Sequence, residues 1–328
     1  MPFLDLVGNA GVLGRLSLLI RAGRLPPSLI FSGGAGVGKL EAAVTLAQAL
    51  NCPAGGGDPC GRCSTCVRIA RDEHPDVRIL RPEGRGGQIR AEGVREAIAG
   101  VPFRPFEGKR RVIVLADAER MNPTTANTLL KTLEEPPPWA TIVLVTGNEA
   151  AMLPTILSRC QVFRFSPLAP EELIELLVKR HDLPSDRAAL LAAVSGGGLT
   201  RALELTEEPL SELRKEALAL AGIAVFGARA QELVPRADAL SKEGRLMLLL
   251  DILLSLIRDL SARKAGAGIL HRDIEPEIDA LSERASLSVW LSAYELVEGA
   301  LVDMRDRYLN KRITLSRLLL SLHELSAG

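Results

Sequence analysis

The sequence predicts an α/β fold with a parallel sheet and helices on both of its faces, followed by a region built from helices alone. Three observations support this prediction. Across residues 29–165, short apolar runs alternate with helical patterns, as in parallel strands joined by helical crossovers. A glycine-rich stretch separates the first of these runs from the helix that follows it. From Pro167 onward the helical pattern continues without a further strand signal.

Composition and charge restrict the classes of protein that fit. Lys plus Arg equals Asp plus Glu, at 40 each in 328 residues, so there is no overall positive field of the kind that binds DNA non-specifically. Aromatic residues make up 3% of the chain, which is too few for stacking on single-stranded bases to be its main way of binding nucleic acid. The first nine residues show no basic segment before an apolar run, so we expect no secretory signal and a cytoplasmic protein. The most apolar segment, 246–257, is too short to cross a membrane and predicts a buried helix.

A glycine-rich loop follows the first predicted strand. A helical lead-in ends at Pro26-Pro27, an apolar run at 29–31 comes next, and an Ala-rich helix at 41–50 follows the loop. This order is typical of a phosphate-binding loop, in which backbone N–H groups and a helix N-terminus surround phosphate oxygens and a lysine neutralises the outer phosphates. A glycine-rich turn without a ligand is the alternative. The candidate nucleotide-binding residues of this loop are Gly33, Gly34, Ala35, Gly36, Val37, Gly38, Lys39 and Leu40.

Two positions of this site lack the usual chemistry. The residue after the lysine is normally Ser or Thr, whose hydroxyl holds Mg²⁺, and here it is Leu40. The strand predicted at 112–116 ends at Asp117, where an acidic residue would hold Mg²⁺ through water, but Ala118 replaces the glutamate that usually follows. Glu119, one residue on, is a less favoured substitute. The sequence therefore leaves binding of ATP or ADP open and predicts weak or no Mg²⁺-dependent turnover.

Four cysteines form the second motif, with a C-x7-C-x2-C-x2-C spacing in a glycine-rich stretch. They are Cys52, Cys60, Cys63 and Cys66. Thiolates two residues apart on a tight turn can converge on one metal, so the spacing predicts a tetrahedral zinc site. Because four thiolates complete the ligand shell, the zinc would be structural and would order a short insertion at 52–66. Disulfides, unligated thiols and a redox pair are the alternatives.

The elements between these motifs follow from local patterns. We expect a strand at 77–80, a polar loop at 82–88 and a helix at 91–99. A further helix begins after Asn122, with asparagine as its N-cap and proline in its first turn, and the triple proline at 136–138 ends it.

Two more strands complete the predicted sheet. The strand at 141–145 ends at Thr146, Gly147 and Asn148, where polar groups could sense a terminal phosphate. The last strand is expected at 162–165. Just before it, Arg159 by itself is a surface charge, and Cys160 is interpreted as an ordinary buried residue.

With these motifs in place, the whole sequence closely resembles the delta-prime subunits of bacterial replicative clamp loaders, a family of the AAA+ superfamily. The residues that carry the resemblance are 127–137 (NTLLKTLEEPP), the Ser158-Arg159-Cys160 triplet, the four-cysteine insertion, His74-Pro75-Asp76 and the closing helix at 310–320. The resemblance implies an AAA+ nucleotide-binding domain at 1–166 with a zinc module at 52–66, a helical lid at 167–207 and an all-helical collar at 208–328.

The resemblance also implies roles and partners. The family forms a five-membered ring with ATP between neighbours, so Arg159 would reach the γ-phosphate of an adjacent subunit as an arginine finger in trans, neutralising charge on the transferred phosphoryl group. Arg201 would be the lid arginine that touches the chain's own nucleotide, which would also contact Asp117 and Thr146. The implied partners are the motor subunits (gamma/tau) and the delta subunit, with the sliding clamp and primer–template DNA contacted through the assembled complex.

This sequence differs from the motor subunits of the family at two positions, and these differences favour one hypothesis for the type of subunit. Motor subunits of the family carry Thr or Ser after the lysine and Asp-Glu at the strand end, so Leu40 and Ala118 indicate a stationary, largely non-hydrolysing subunit. An ATP-hydrolysing motor subunit is the second hypothesis. A stand-alone zinc-dependent nucleic-acid-binding module is the third, and the neutral charge and low aromatic content count against it.

Overall fold

The computed structural model describes residues 2–82, 89–305 and 309–326. The predicted polar loop at 82–88 falls outside these ranges except for Pro82. Two units divide the chain, one of Met1–Leu168 with Gly196–Arg201 and the other of Ala169–Ser195 with Ala202–Gly328. The boundaries expected after residues 166 and 207 stay predictions. Within the described ranges, every helix is too short or too polar to span a lipid bilayer.

The first unit contains five strands and the helices between them. The strands are β1 (Ser28–Ser32), β2 (Val77–Leu80), β3 (Arg111–Leu115), β4 (Ala140–Thr146) and β5 (Gln161–Arg164). The helices are α1 (Ala10–Arg21), α2 (Lys39–Asn51), α3 (Ser64–Ala70), α4 (Ala91–Ala99), α5 (Pro123–Glu134) and α6 (Pro154–Leu157). Short 3-10 helices lie at Phe3–Asp5, Ala118–Arg120 and Glu149–Ala151.

The sheet is parallel and has the order β2-β3-β4-β1-β5. Alternate residues of each strand enter two separate cores: Leu29 and Phe31 pack with α1 and α2, whereas Ile30 packs with α4, α5 and α6. Helices therefore cover both faces, which explains why the central strands β1, β3 and β4 are apolar runs, whereas the edge strands β2 and β5 include exposed polar residues. This sheet and the helical second unit confirm the predicted fold class.

Four strands differ from the predicted bounds by one residue: β1 (Ser28–Ser32) and β4 (Ala140–Thr146) extend one residue beyond each end of the expected runs, and β3 and β5 are shifted by one residue. The run expected at 112–116 forms β3 at Arg111–Leu115, and the run expected at 162–165 forms β5 at Gln161–Arg164. An apolar run marks burial, whereas strand bounds depend on pairing: Arg111 pairs with Ala140, although its side chain is only partly buried. Apolar patterning therefore located these strands but not their ends.

The second unit is helical throughout its described residues. Its helices are α7 (Pro170–His181), α8 (Ser185–Val194), α10 (Leu210–Ala221), α11 (Ile223–Phe226), α12 (Ala230–Ser241), α13 (Leu246–Lys264), α14 (Glu275–Ser282), α15 (Leu287–Arg305) and α16 (Lys311–Leu325). Helix α9 (Leu199–Glu204) crosses the boundary between the units, and a 3-10 helix lies at Arg272–Ile274. As predicted for 246–257, α13 is largely buried; it packs against α10, α14 and α15.

One buried polar cluster holds the chain after α13. Asp259 is fully buried, and Oδ2 accepts hydrogen bonds from the backbone N–H groups of Leu270 and His271, both at 2.8 Å. Burial lowers the pKa of His271 to about 4. The imidazole is therefore neutral at physiological pH and serves the packing of this corner.

Candidate functional site

The glycine-rich loop connects β1 to α2 in the predicted order. Gly33 has a φ of +154°, and a Cβ there would lie 2.4 Å from the carbonyl oxygen of Phe165. Gly36 has a φ of +71°, and a Cβ there would lie 2.6 Å from the backbone nitrogen of Arg201. Close approach of other backbone groups therefore requires glycine at both positions.

Lys39 is bound by the loop itself. Lys39 is 8% exposed, and its Nζ donates hydrogen bonds to the carbonyl oxygen of Gly33 at 2.7 Å and to the carbonyl oxygen of Gly34. Burial lowers the pKa of Lys39, while the carboxylates of Glu119, Asp117 and Glu41 oppose that change. The lysine charge is thus directed at the carbonyl dipoles of its own loop in this structure.

The two positions that lack the usual chemistry are occupied by packed apolar groups. Leu40 is half-buried and packs against the core formed with α1 and α2. Ala118 is 1% exposed and belongs to the core on the opposite face of the sheet. Neither side chain can hold a metal ion or accept a proton, and no other described feature at these two positions restores that chemistry.

Three polar residues considered from the sequence lie at or just after the ends of β3 and β4. Asp117 is exposed and has a left-handed φ of +50°. Thr146 is fully buried; its hydroxyl donates to the carbonyl of Asn148 and accepts from the N–H of Asn148, both at 3.1 Å. Glu119 accepts from the N–H of Gly147 at 3.0 Å and has the largest electrostatic effect on Lys39. The carboxylate that sequence reasoning favoured less is therefore the one that most affects the lysine.

The segment that ends the first unit packs directly on the loop. The N–H of Thr200 donates to the carbonyl of Gly36 at 3.3 Å, and the Thr200 hydroxyl donates to Oε1 of Glu41 at 2.9 Å. Arg201 follows, with its backbone against Gly36. The structure therefore brings the backbone of Arg201 to the loop, and contact of its side chain with a nucleotide stays a prediction. Sequence reasoning missed the Thr200–Glu41 contact, because its partners are 159 residues apart.

The four cysteines converge as predicted. Their Sγ atoms all lie within 4.8 Å of one another, and the sulfurs of Cys52 and Cys60 are 3.6 Å apart. A zinc ion with Zn–S bonds of about 2.3 Å needs sulfurs roughly 3.8 Å apart, so this thiol set fits a tetrahedral ion. All four thiols are free rather than joined as disulfides. Hydrogen bonds from the backbone N–H groups of Arg62 and Cys63 lower the pKa of Cys60 to about 6, whereas burial raises the pKa of Cys66, so it is the convergence of the four sulfurs that supports a metal.

The cysteine cluster is fastened to the loop before β3. Asn51, the last residue of α2, accepts through Oδ1 from the N–H groups of Lys109 and Arg110, both at 2.9 Å. The Lys109 ammonium donates to the carbonyl of Cys52 at 2.8 Å. Sequence reasoning did not assign Asn51 a role, and no local pattern marks it.

The His74-Pro75-Asp76 motif holds the same loop from its other side. Asp76 accepts from the N–H groups of Phe106, Glu107 and Gly108 at 2.7 to 2.9 Å. Burial alone would raise the pKa of Asp76, but these three donors lower it below its usual value. The motif that contributed to the resemblance is thus a structural anchor.

Arg159 lies between α6 and β5 in the sequence, and its side chain contacts the last residue of α5. Nε donates to Oε1 of Glu134 at 2.9 Å, and Nη2 lies 2.7 Å from the same oxygen. Nη1 donates to the carbonyl of Thr155 at 3.0 Å and to the hydroxyl of Ser158 at 3.1 Å. A third of the Arg159 side chain, 34%, is exposed. These contacts come from α5, α6 and Ser158 and not from the glycine-rich loop.

Cys160 differs from the prediction. It is half-buried rather than buried and packs at the margin of the core beside α5 and α6. The short helix α6 ends just before it, so the residue lies where the chain turns from the surface into β5. Burial still raises the pKa of Cys160 to about 12, which keeps the thiol protonated.

Comparison with known proteins finds relatives of this chain. A family model described as "DNA polymerase III, delta subunit" matches residues 8–169. Subunit delta-prime of DNA polymerase III from Bacillus subtilis is 34% identical over 205 residues, which cover 61% of this chain and 60% of that protein. The corresponding subunit from Pseudomonas aeruginosa is 37% identical over 188 residues, covering 56% and 57%. Over residues 8–169, which are 162 of its 328 residues, the chain matches this DNA polymerase III family.

Other subunits of DNA polymerase III are also similar to this chain. The tau subunit of DNA polymerase III from Escherichia coli is 34% identical over 215 residues, which cover 64% of this chain and 33% of that protein. The matched segment spans less than two thirds of the length of each of these three relatives. These similarities therefore leave the type of subunit to be argued from the site.

Proposed function

We propose that this chain is the stationary, delta-prime-like subunit of a bacterial clamp loader. It hydrolyses no ATP itself and gives Arg159 to the ATP site of a neighbouring motor subunit. Its partners are the gamma/tau motor subunits and the delta subunit, in an assembly that places the sliding clamp on primed DNA.

The observation that carries this proposal is the packing of Leu40 and Ala118. A hydrolysing site needs a hydroxyl ligand for Mg²⁺ after the lysine and a water-positioning acid after the strand-end aspartate. Here both positions are filled by aliphatic side chains, one in each core of the sheet. The remaining loop keeps its glycines and lysine, so binding of ATP or ADP without turnover is part of the proposal.

Arg159 supports the role in trans. Its guanidinium is partly exposed, is ordered by its own chain, and is held by residues outside the glycine-rich loop. A charged fork of this kind stabilises the transferred phosphoryl group, an effect worth about 10³ to 10⁵ in rate where an arginine finger acts.

The four-cysteine cluster is proposed to hold structural zinc. The thiols fit a tetrahedral ion, and a four-thiolate shell has no open position for a substrate. Zinc here would order the insertion after α2 and supply no reaction chemistry.

The experiment is the steady-state ATPase of the assembled complex, stimulated by clamp and primed DNA, with Arg159→Ala in this chain. Turnover at the site that Arg159 faces is expected to fall by about 10³. Arg164→Ala is the matched control. Arg164 lies five residues after Arg159 in the sequence, its side chain is 70% exposed, and it forms an ion pair with Glu149. Equal turnover of the two variants, with assembly intact by size-exclusion chromatography, would contradict the proposal.

A motor subunit is the second candidate, and Glu119 is the observation in its favour. Its carboxylate bridges the ends of β3 and β4 and acts electrostatically on Lys39. Turnover by the isolated chain that disappears in both Lys39→Ala and Glu119→Gln would support this alternative. The absence of turnover above the Lys39→Ala background would support the stationary subunit.

A further inference from the structure

The Arg159 guanidinium is ordered almost completely by its own chain. A guanidinium carries five N–H donors. The Nε–H donates to Oε1 of Glu134, and Nη2 lies 2.7 Å from the same oxygen in an ion pair, while the two N–H groups of Nη1 donate to the Thr155 carbonyl and the Ser158 hydroxyl. These hydrogen bonds with described residues use three donors, and the other two belong to Nη2.

Glu134 stands at a position that a helix alone would not favour. It is the last residue of α5, where the negative end of the helix dipole repels a carboxylate, and Glu135 follows it directly. The guanidinium of Arg159 offsets that repulsion. Both side chains are accessible to water, 48% exposed for Glu134 and 34% for Arg159, so the pair adds little to folding stability. Its consequence is the orientation of the arginine.

We propose that Glu134 is a positioning residue for Arg159. Its carboxylate fixes one edge of the guanidinium, and the fixed side chain presents an Nη2 donor to a phosphate oxygen held by a second subunit. This inference rests on the proposed function, because it concerns the same arginine in trans. A long flexible side chain that is ordered in advance loses less conformational freedom when the phosphate arrives, and this advantage appears in the rate of the chemical step.

The positioning needs an acceptor oxygen and does not need the negative charge. A glutamine at this position keeps a carbonyl oxygen within reach of Nε and Nη2, whereas an alanine removes it. The carboxylate also partly neutralises the guanidinium that it holds. A conservative amide should therefore preserve the effect of residue 134 on turnover, which a role for its charge would not allow.

The test measures kcat and KM for ATP in the assembled, clamp- and DNA-stimulated complex. Glu134→Ala is expected to lower kcat about tenfold with KM changed less than about twofold, because the arginine loses orientation while the neighbouring site keeps its own nucleotide contacts. Glu134→Gln is expected to retain kcat within about threefold of the parent. Glu135→Ala is the matched control, since it removes the same charge one residue further on and should leave both constants unchanged.

A double variant separates positioning from other effects. Arg159→Ala combined with Glu134→Ala should be no slower than Arg159→Ala alone, because Glu134 acts only through the arginine. An unchanged or raised kcat in Glu134→Ala, or a glutamine variant as slow as the alanine variant, overturns the inference. If Arg159→Ala itself leaves turnover unchanged, the proposed function and this inference both fail. If Arg159→Ala is slow and Glu134→Ala is not, the inference alone fails.

Discussion

Helix α2 has a predicted site at each end, and the two ends differ in what they retain. At its N-terminal end, Lys39 follows a glycine-rich loop in which Leu40 and Ala118 occupy the positions of the missing polar groups. At its C-terminal end, Asn51 leads into a cluster in which all four thiols converge. The glycine-rich loop lacks two of the polar groups that hydrolysis needs, while the four-cysteine cluster has all the thiols that a tetrahedral zinc site would need.

This difference shows which properties each site needs. Hydrolysis requires every polar group of the site, since loss of the metal ligand or of the water-positioning acid removes its contribution to the transition state. A structural loop requires only its backbone course, which the glycines and the lysine-to-carbonyl hydrogen bonds maintain. In the proposed stationary subunit, the N-terminal end of α2 therefore keeps its backbone course without hydrolysis, and the C-terminal end keeps the four thiols proposed to hold the insertion.

The largest stability effect is expected at the cysteine end. Removal of zinc by chelation, or Cys63→Ser, should lower the Tm of the first unit by on the order of 10 °C, taking a loss of about 3–4 kcal/mol and about 2–4 °C per kcal/mol. Scanning calorimetry with metal analysis measures this. Cys160→Ser, outside the cluster, is the control and should retain both zinc and Tm. A chain that holds no zinc and melts identically with chelator would remove the contrast between the two ends.

A smaller loss is expected when the fastening at Asn51 is removed. Asn51→Ala leaves the N–H groups of Lys109 and Arg110 without their acceptor, which should cost about 2 kcal/mol of unfolding free energy. Urea unfolding of the full chain measures the change. Asn51→Asp keeps the acceptor oxygen and should lose clearly less. Equal losses in the two variants would mean that packing of α2, rather than these hydrogen bonds, is what residue 51 supplies.

The smallest effect is expected at the loop end. Lys39→Met removes two hydrogen bonds to loop carbonyls but also a buried charge, so the unfolding free energy should change by less than about 1 kcal/mol. Turnover of the assembled complex should also stay within about twofold, because in the proposed stationary subunit the lysine stabilises no transition state. A fall in turnover comparable to that of Arg159→Ala would show that the loop takes part in the reaction and would reverse the comparison.

Much of the fold was predictable because its signals are local. The three central strands β1, β3 and β4 are buried on both faces, so each leaves an apolar run in the sequence. The N-cap of α5 was predictable for the same reason, since Asn122 accepts from the N–H of Thr125 only three residues away. The cysteine spacing specified a convergent set because its members are close in sequence and joined by glycine-rich turns.

By itself, the sequence determined the glycine-rich loop, the two missing polar groups, the cysteine set and the alternation of strand and helix. Only the tertiary structure decided that Glu134 holds Arg159, that Thr200 bonds Glu41, and that Asp76 anchors the loop at 106–108. The partners in these contacts are separated by 25, 159 and 30 residues. Local periodicity reports which face of an element is buried, but which side chains meet across elements depends on how the strands are ordered and how the helices pack on them.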